Sequence, residues 1–263
     1  MRADLDTSFF DPPRPRTIAH RGFSGRYPEN TLAAFRAARD IGARYVELDT
    51  HLTRDGEPVV SHDPDLTRSC GIEIMINETP LSSLAGANPG FNFTLDGVTY
   101  PFRSSALTIP TLAEVFAELP ELLYVVEVKE DSAEAAQAVI ETARRSRMIR
   151  QILIASEHRR SVEAARRLAP GVPTNLPTRE VGEFMASLAP GAESYIALGD
   201  AIQIPPEHMG WRMATRESVA MAHRLGLEMH VWTVNEASEM RELLALGVDG
   251  ILTDYPDRLL ALV

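Results

Sequence analysis

Two patterns of apolar residues alternate along the chain. Short runs rich in Val, Ile and Leu predict strands, and longer stretches in which apolar residues recur every three or four positions predict helices. The first helix begins at Asn30 or Thr31 and ends at Gly42, and the later ones are predicted at 111–118, 132–147, 158–168, 179–188, 215–225, 236–245 and 256–262. The predicted core strands are 17–20, 44–50, 123–128, 151–155, 172–176, 200–204, 227–233 and 249–253.

Eight strands alternating with helices in a chain of 263 residues are typical of one (β/α)₈ TIM barrel. An open, doubly wound sheet is the alternative, but no glycine-rich phosphate loop follows the first strand. Periodicity fades over 63–108, which is too long for a plain connection. We therefore predict one catalytic domain over 1–263, with 63–108 as a small inserted subdomain or lid after the second strand.

The second strand has an unusual face. Alternation over 43–52 places Tyr45, Glu47, Asp49 and His51 on one side. Carboxylates held side by side repel each other unless a cation lies between them, so this face indicates a divalent metal with oxygen ligands. An edge hairpin with a solvated acidic face is the simpler alternative.

A hairpin is predicted to follow this strand. If Asp55 and Gly56 are the two central residues of a type I′ turn, Asp49 lies opposite His62 and an imidazole comes beside the carboxylates. A bulge would shift that register by one residue.

Composition excludes several classes of protein. The net charge of −11 argues against a nucleic-acid groove and against stable association with an anionic membrane. The first 16 residues lack the apolar core of a signal peptide, and no apolar run approaches a membrane span. Cys70 is the single cysteine, without a neighbouring base, so neither a disulfide nor a thiol nucleophile is expected. A reducing compartment suits this usage, and a cytoplasmic location is the expectation.

In the predicted barrel, reactive side chains from distant segments of the sequence would come together. Catalytic groups in such folds lie at the carboxyl ends of the strands. Four predicted strands end there in polar or aromatic residues: His20 and Arg21, Glu47 and Asp49, Glu127 and Lys129, and His230 and Trp232. We therefore expect these side chains to meet at one mouth.

Glu47, Asp49 and Glu127 would suffice for Mg²⁺ or Ca²⁺ and leave positions open for substrate. His20 and His62 are suited to proton transfer near neutral pH, and Arg21 and Lys129 supply positive charge for an oxyanion. Together these groups indicate phosphodiester cleavage. Structural roles are the alternative for the two histidines, as is a rim ion pair for Glu127 and Lys129. His230 is ambiguous, and the remaining histidines are interpreted as surface or packing residues: His51, His158, His208 and His223.

An ordered set of motifs resembles the glycerophosphodiester phosphodiesterases. The resemblance covers the first half to Lys129, apart from the insert, and returns over 226–257, while 130–225 resembles only a generic barrel. The motifs are Ile18-Ala19-His20-Arg21-Gly22, Pro28-Glu29-Asn30-Thr31, Glu47-Leu48-Asp49, Thr53-Arg54-Asp55-Gly56, His62-Asp63, Arg68, Ile109-Pro110-Thr111-Leu112, Glu127-Val128-Lys129, Trp232-Thr233-Val234-Asn235, Gly247-Val248-Asp249-Gly250 and Thr253-Asp254.

The resemblance implies a TIM barrel that hydrolyses a small-molecule glycerophosphodiester to sn-glycerol 3-phosphate and an alcohol. It implies a divalent metal on Glu47, Asp49 and Glu127, with His20 and His62 as acid and base. In the same scheme Arg21 and Lys129 hold the phosphate, and Trp232 lines the substrate pocket. The attacking hydroxyl is either water or the glycerol hydroxyl of the substrate.

Three other functions compete with this reading. A lysophospholipase D is the alternative, because apolar residues of the insert could form a lipid entrance: Ile72, Ile74, Ile76, Phe91 and Phe93. A metal-dependent lyase or isomerase would also use a lysine and a carboxylate-held metal, but the two histidines and Arg21 argue against it. A non-catalytic binding protein would not need the complete set of groups.

Overall fold

A ring of parallel strands forms the centre of the molecule in the computed structural model, which describes residues 7–189, 191 and 195–263. Seven strands follow one another around the ring in this order: β5 Ile152–Ala155, β4 Leu123–Val128, β2 Tyr45–Leu52, β1 Arg16–His20, β10 Gly250–Thr253, β9 Glu228–Val231 and β6 Ala201–Ile204. Three short strands are not part of this order: β3 Pro58–Val60, β7 Glu207–His208 and β8 Trp211–Arg212. The parallel pairing places the carboxyl ends of all seven strands at one mouth.

The segment between β5 and β6 closes the ring with less pairing than expected. Thr174 bridges Ile154 on one side, and Asn175 bridges Ala201 on the other. The predicted strand 172–176 is thus wrong in its extent, because Pro173 has no amide hydrogen for a ladder and Pro177 stops the segment. The position of this segment in the ring confirms the predicted TIM barrel.

Helices cover the outside of the ring. They are α1 Leu32–Asp40, α4 Leu112–Glu118, α5 Ala133–Arg145, α6 Arg159–Leu168, α7 Thr178–Ala186, α8 Arg216–Arg224, α9 Ala237–Leu246 and α10 Pro256–Leu260. Thr31 caps α1 by accepting a hydrogen bond from the amide of Ala34, as one of the two predicted caps. No helix in the described part of the chain is both long and apolar enough to cross a membrane.

The hairpin after β2 has a different register from the predicted one. β3 (Pro58–Val60) pairs with β2 so that Thr50 faces Val60, and Ser61 rather than His62 follows opposite Asp49. The reason is the turn: the amide of Gly56 bonds to the carbonyl of Thr53, and Gly56 has a φ of +84°. Thr53 pairs with Glu57, so the loop has three residues, 54–56: a type I turn that ends in a residue of the left-handed region. The third loop residue shifts the pairing by one.

The predicted insert, 63–108, contains three short helical segments: α2 Thr67–Cys70, a 3₁₀ turn Ile76–Glu78 and α3 Leu81–Leu84. Leu66, Cys70, Ile76 and Leu84 are buried together against Val59 of β3. Ile72 and Ile74 pack against this cluster, while Phe91 is 38% exposed. Most of the aliphatic residues considered for a lipid entrance therefore fill the core of the insert.

An ion pair lies at the opposite end of the barrel from the mouth. Arg16 is 2% exposed, and its Nε and Nη2 atoms each lie 2.7 Å from a carboxylate oxygen of Glu228. The same guanidinium donates to the hydroxyl of Tyr45. Burial alone would raise the pKa of Glu228, but hydrogen bonds from Arg16 and His230 lower it to about 2.

Glu228→Gln is expected to destabilise the fold by ~3–5 kcal/mol, because Arg16 would remain buried without its counter-charge. A depressed folded pKa stabilises above the ordinary glutamate pKa of ~4.3. The wild type should therefore lose this contribution as the pH falls towards about 2. Urea unfolding at neutral pH and at low pH measures both effects. Glu163→Gln, in the exposed pair with Arg159, is the control and should change stability by less than ~1 kcal/mol. An equal effect of the two substitutions would contradict this role.

Candidate active site

Three carboxylates meet at the carboxyl ends of β2 and β4. Asp49 pairs directly with Glu127 in the parallel register, and Glu47 lies two residues earlier on the same face of β2. One carboxylate oxygen from each residue lies within 4.8 Å of the other two. The prediction that these three side chains meet is confirmed, although Asp49 and Glu127 are 78 positions apart in the sequence.

The electrostatics of these carboxylates favour a cation. Glu47 and Asp49 are 3% and 1% exposed, so water screens them poorly. Burial and the charge of Asp49 raise the pKa of Glu47, and the same two causes raise the pKa of Glu127. A divalent ion would remove this repulsion, and three carboxylates are the oxygen donors that Mg²⁺ and Ca²⁺ prefer. The residues therefore fit such an ion.

Two cationic side chains border the carboxylates. The Nζ atom of Lys129 lies 3.1 Å from Glu127 Oε1 and 3.5 Å from Asp49 Oδ1. Arg21 places its Nε atom 3.2 Å from Asp49 Oδ2. Two positive charges against three negative ones leave the cluster short of counter-charge. An ion and a phosphate could be accommodated together, because the two side chains could then turn to the phosphate oxygens.

The turn after β1 explains how Arg21 reaches this position. Arg21 and Gly22 both have positive φ values, +56° and +82°. A side chain at position 22 would meet Ala34 at 2.7 Å, so only glycine fits there. The turn directs the amide of Arg21 to Glu47, to which it donates a hydrogen bond of 3.0 Å. A non-glycine residue in this conformation is uncommon, and the hydrogen bond to Glu47 helps to hold it there.

His20 is oriented by a carboxylate from the last strand end. Its Nδ1 atom lies 2.7 Å from Asp254 Oδ1, and its Nε2 atom lies 4.0 Å from Glu47 Oε2. Because a carboxylate only accepts, Nδ1 carries the hydrogen and Nε2 faces the carboxylate cluster. Burial lowers the pKa of His20, but Asp254 and Glu47 outweigh it and raise that pKa. Asp254 is itself held by Asn235 Nδ2 at 2.7 Å.

His62 has a matching aspartate partner. Its Nδ1 atom lies 2.7 Å from Asp63 Oδ1, and its side chain is 32% exposed. Its carbonyl oxygen accepts a hydrogen bond from His51 Nε2 at 3.0 Å. Arg68 links its partner Asp63 to Glu29, which pairs with Arg21. Both histidines thus keep Nδ1 on an aspartate and Nε2 available for proton transfer.

His230 and Trp232, which were predicted to lie together at the end of β9, lie in different parts of the barrel. Trp232 is 38% exposed beside the end of β6, where its amide donates to the carbonyl of Ile204. His230 is fully buried and lies 3.2 Å from Glu228 Oε2, in the ion-pair cluster at the other end of the barrel. The ambiguous His230 is therefore outside the candidate site, and Trp232 stays at the mouth.

Sequence reasoning missed the residues that orient the others. His51, interpreted as a surface or packing residue, is 7% exposed and binds both Glu130 and the carbonyl of His62. Asn30 Nδ2 donates to Asp49 Oδ2 at 2.8 Å. A usable signal existed for Asp63 and Asp254, since each follows a predicted strand or hairpin end directly. Asn30 and Glu29 come from the loop after β1, where no periodicity identifies a role.

Three comparisons relate the whole chain to known proteins. A family model for the glycerophosphoryl diester phosphodiesterase family matches residues 20–258. A glycerophosphodiester phosphodiesterase of Bacillus subtilis is 29% identical over 265 residues, covering 95% of this chain and 87% of the relative. A lysophospholipase D of Mus musculus is 25% identical over 272 residues, covering 93% and 84%. The structure of a phosphodiesterase of Oleispira antarctica in complex with the product sn-glycerol-3-phosphate matches with a TM-score of 0.74 at 25% identity, covering 94% and 96%.

Proposed function

The chain belongs to the glycerophosphoryl diester phosphodiesterase family, and we propose that it hydrolyses glycerophosphodiesters to sn-glycerol 3-phosphate and an alcohol. The observation that carries this proposal is the meeting of three carboxylates, two cations and an aspartate-bound histidine at one barrel mouth. A small-molecule substrate is supported by the Oleispira antarctica phosphodiesterase, which holds sn-glycerol-3-phosphate.

Metal dependence is part of the proposal. Glu47, Asp49 and Glu127 would hold one divalent cation, Mg²⁺ or Ca²⁺. When bound, such an ion would stabilise the negative charge of the phosphoryl oxygens. Arg21 and Lys129 bind the phosphate, where the guanidinium matches the spacing of two phosphate oxygens.

The two histidines move the protons. Either His20 or His62 accepts the proton of the attacking hydroxyl at Nε2, while a phosphorus–oxygen bond forms. The other histidine donates a proton to the alkoxide that leaves as the second phosphorus–oxygen bond breaks. Each such transfer contributes roughly 10²–10⁴ to the rate. The attacking hydroxyl is water or the glycerol hydroxyl, and the second route requires a further hydrolysis of a cyclic phosphate.

Lysophospholipase D activity is the second candidate function. Leu95 and Val98 of the insert are 65% and 78% exposed, and Trp232 is partly exposed at the mouth. These apolar side chains could contact an acyl chain, and one relative carries that activity in its name. The same segment, 63–108, is proposed as a lid over the substrate. A cytoplasmic location and the absence of a nucleic-acid partner remain proposals from charge and cysteine usage.

A direct assay separates the two functions. Purified enzyme with Mg²⁺ or Ca²⁺ should release glycerol 3-phosphate from glycerophosphocholine with a higher kcat/KM than it releases choline from lysophosphatidylcholine. The reverse order would favour the lysophospholipase D. No turnover of either diester, with folded protein and either metal, would overturn the proposed activity.

A further inference from the structure

Arg68 of α2 joins the carboxylate that holds His62 to the carboxylate that pairs with Arg21. Its Nε atom donates to Asp63 Oδ2 at 2.5 Å, and its two terminal nitrogens donate to Glu29 at 2.6 and 3.2 Å. The side chain is 52% exposed, so it lies at the rim. One guanidinium from the insert thus bridges two carboxylates of the barrel mouth.

Each of these carboxylates has a second partner in the site. Asp63 accepts from His62 Nδ1 through its other oxygen, at 2.7 Å. Glu29 accepts from the Nη1 atom of Arg21, at 3.1 Å. These hydrogen bonds therefore form one continuous series, which joins the His62 imidazole to the guanidinium that faces the carboxylate cluster: His62–Asp63–Arg68–Glu29–Arg21.

In every hydrogen bond of this series a carboxylate is the acceptor. Burial would raise the pKa of Glu29, but hydrogen bonds from Arg68 lower it, and the same balance applies to Asp63. Both carboxylates therefore stay ionised and accept hydrogen bonds only. Nδ1 of His62 must then carry the hydrogen, which fixes the ring tautomer with Nε2 free.

We propose that Arg68 is a positioning residue, which through Asp63 orients His62 and through Glu29 orients Arg21. This inference rests on the proposed function, since it assigns a purpose to both residues in diester cleavage. Exposed ion pairs stabilise a fold little, so the contribution of Arg68 should appear in turnover rather than in stability. Lysine would not reproduce these contacts, because its donors share one nitrogen, whereas Arg68 uses three separate nitrogens on Asp63 and Glu29.

Arg68→Met is expected to lower kcat/KM for glycerophosphocholine by roughly 10–100-fold, the usual effect of removing an outer partner of a catalytic group. The midpoint of thermal unfolding should stay close to that of the wild type. Arg68→Lys should restore only a small part of the loss. Arg103→Met is the matched control, since Arg103 belongs to the same insert but stacks on Tyr100 and Phe91; its kcat/KM should match the wild type.

A double-mutant cycle distinguishes positioning from a structural role. If Arg68 acts through Asp63, Arg68→Met should cost much less in an Asp63→Asn background than alone. Imidazole ¹⁵N NMR gives a readout independent of turnover: neutral His62 should carry its hydrogen on Nδ1, and Arg68→Met should populate the other tautomer. Additive losses, or an unchanged kcat/KM together with an unchanged tautomer, would overturn the proposal. An enzyme inactive on every diester would refute the proposed function, while the NMR comparison would still decide the role of Arg68.

Discussion

Glu127→Gln is expected to lower kcat/KM by about a thousandfold while the fold becomes no less stable. The loss follows from removing one of three carboxylates that hold the ion, worth about 4 kcal/mol of charge stabilisation in the transition state. Glu127 is the best choice of the three, because it is the least buried and its side chain bonds to Lys129.

In the Glu127→Gln variant, activity should fall while thermal stability stays equal or rises. Burial and the charge of Asp49 raise the pKa of Glu127, so its ionised form opposes folding near neutral pH. Glutamine removes that cost, and without metal the variant should unfold at an equal or higher temperature than the wild type. Added Mg²⁺ or Ca²⁺ should stabilise the wild type by mass action and the variant much less.

Glu157→Gln is the control. The negative charge of Glu157 also raises the pKa of Glu127, but Glu157 lies outside the carboxylate cluster. It should keep kcat/KM within a few-fold of the wild type. Wild-type activity that survives a chelator, or a Glu127→Gln enzyme that is fully active, would contradict metal dependence on these residues.

His20→Ala and His62→Ala are each expected to lower kcat by roughly 10²–10⁴ with the fold retained. The physical reason is that an aspartate holds Nδ1 of each imidazole, which leaves Nε2 for proton transfer. Steady-state kinetics and thermal unfolding check both variants. His208→Ala, in the exposed hairpin of Glu207–His208 and Trp211–Arg212, should leave kcat unchanged.

A substrate with a good leaving group assigns the two roles. Glycerophospho-p-nitrophenol needs little protonation of its leaving oxygen, so the variant without the general acid should recover most of its kcat on this substrate. The variant without the general base should not recover. Losses below tenfold for both single variants would contradict proton transfer by this pair.

The barrel could be predicted because its signal is repetitive. Seven strands and the closing segment at 174–175 lie where the apolar runs predicted them, and parallel order alone brings Glu127 to Asp49. The strand-end rule then placed His20, Arg21 and Lys129 at the same mouth. No step in that reasoning needed side-chain detail.

The register of the hairpin could not be predicted, because it depends on one backbone angle. The Asp55-Gly56 pair fits a two-residue turn and a three-residue turn equally well. The backbone decides between them: a type I′ turn needs a positive φ at both residues, and only Gly56 has one. His62 is held by the hydrogen bond from His51 to its carbonyl oxygen and by the carboxylate of Asp63.

The orienting residues were missed for a related reason. Their roles arise from contacts between segments far apart in sequence, such as Asn235 with Asp254 and Arg68 with Glu29. Composition and period describe single segments, so they identify reactive groups at strand ends more readily than the partners that fix those groups.

The central claim is that three acidic side chains from two strands bind one ion. Crystals soaked in Mn²⁺ and measured at an anomalous wavelength test it most directly. We expect one strong peak in the barrel mouth, at coordination distance from oxygens of Glu47, Asp49 and Glu127. A peak elsewhere with none at this position, or Glu127 turned away from an ion held by the other two, would contradict it.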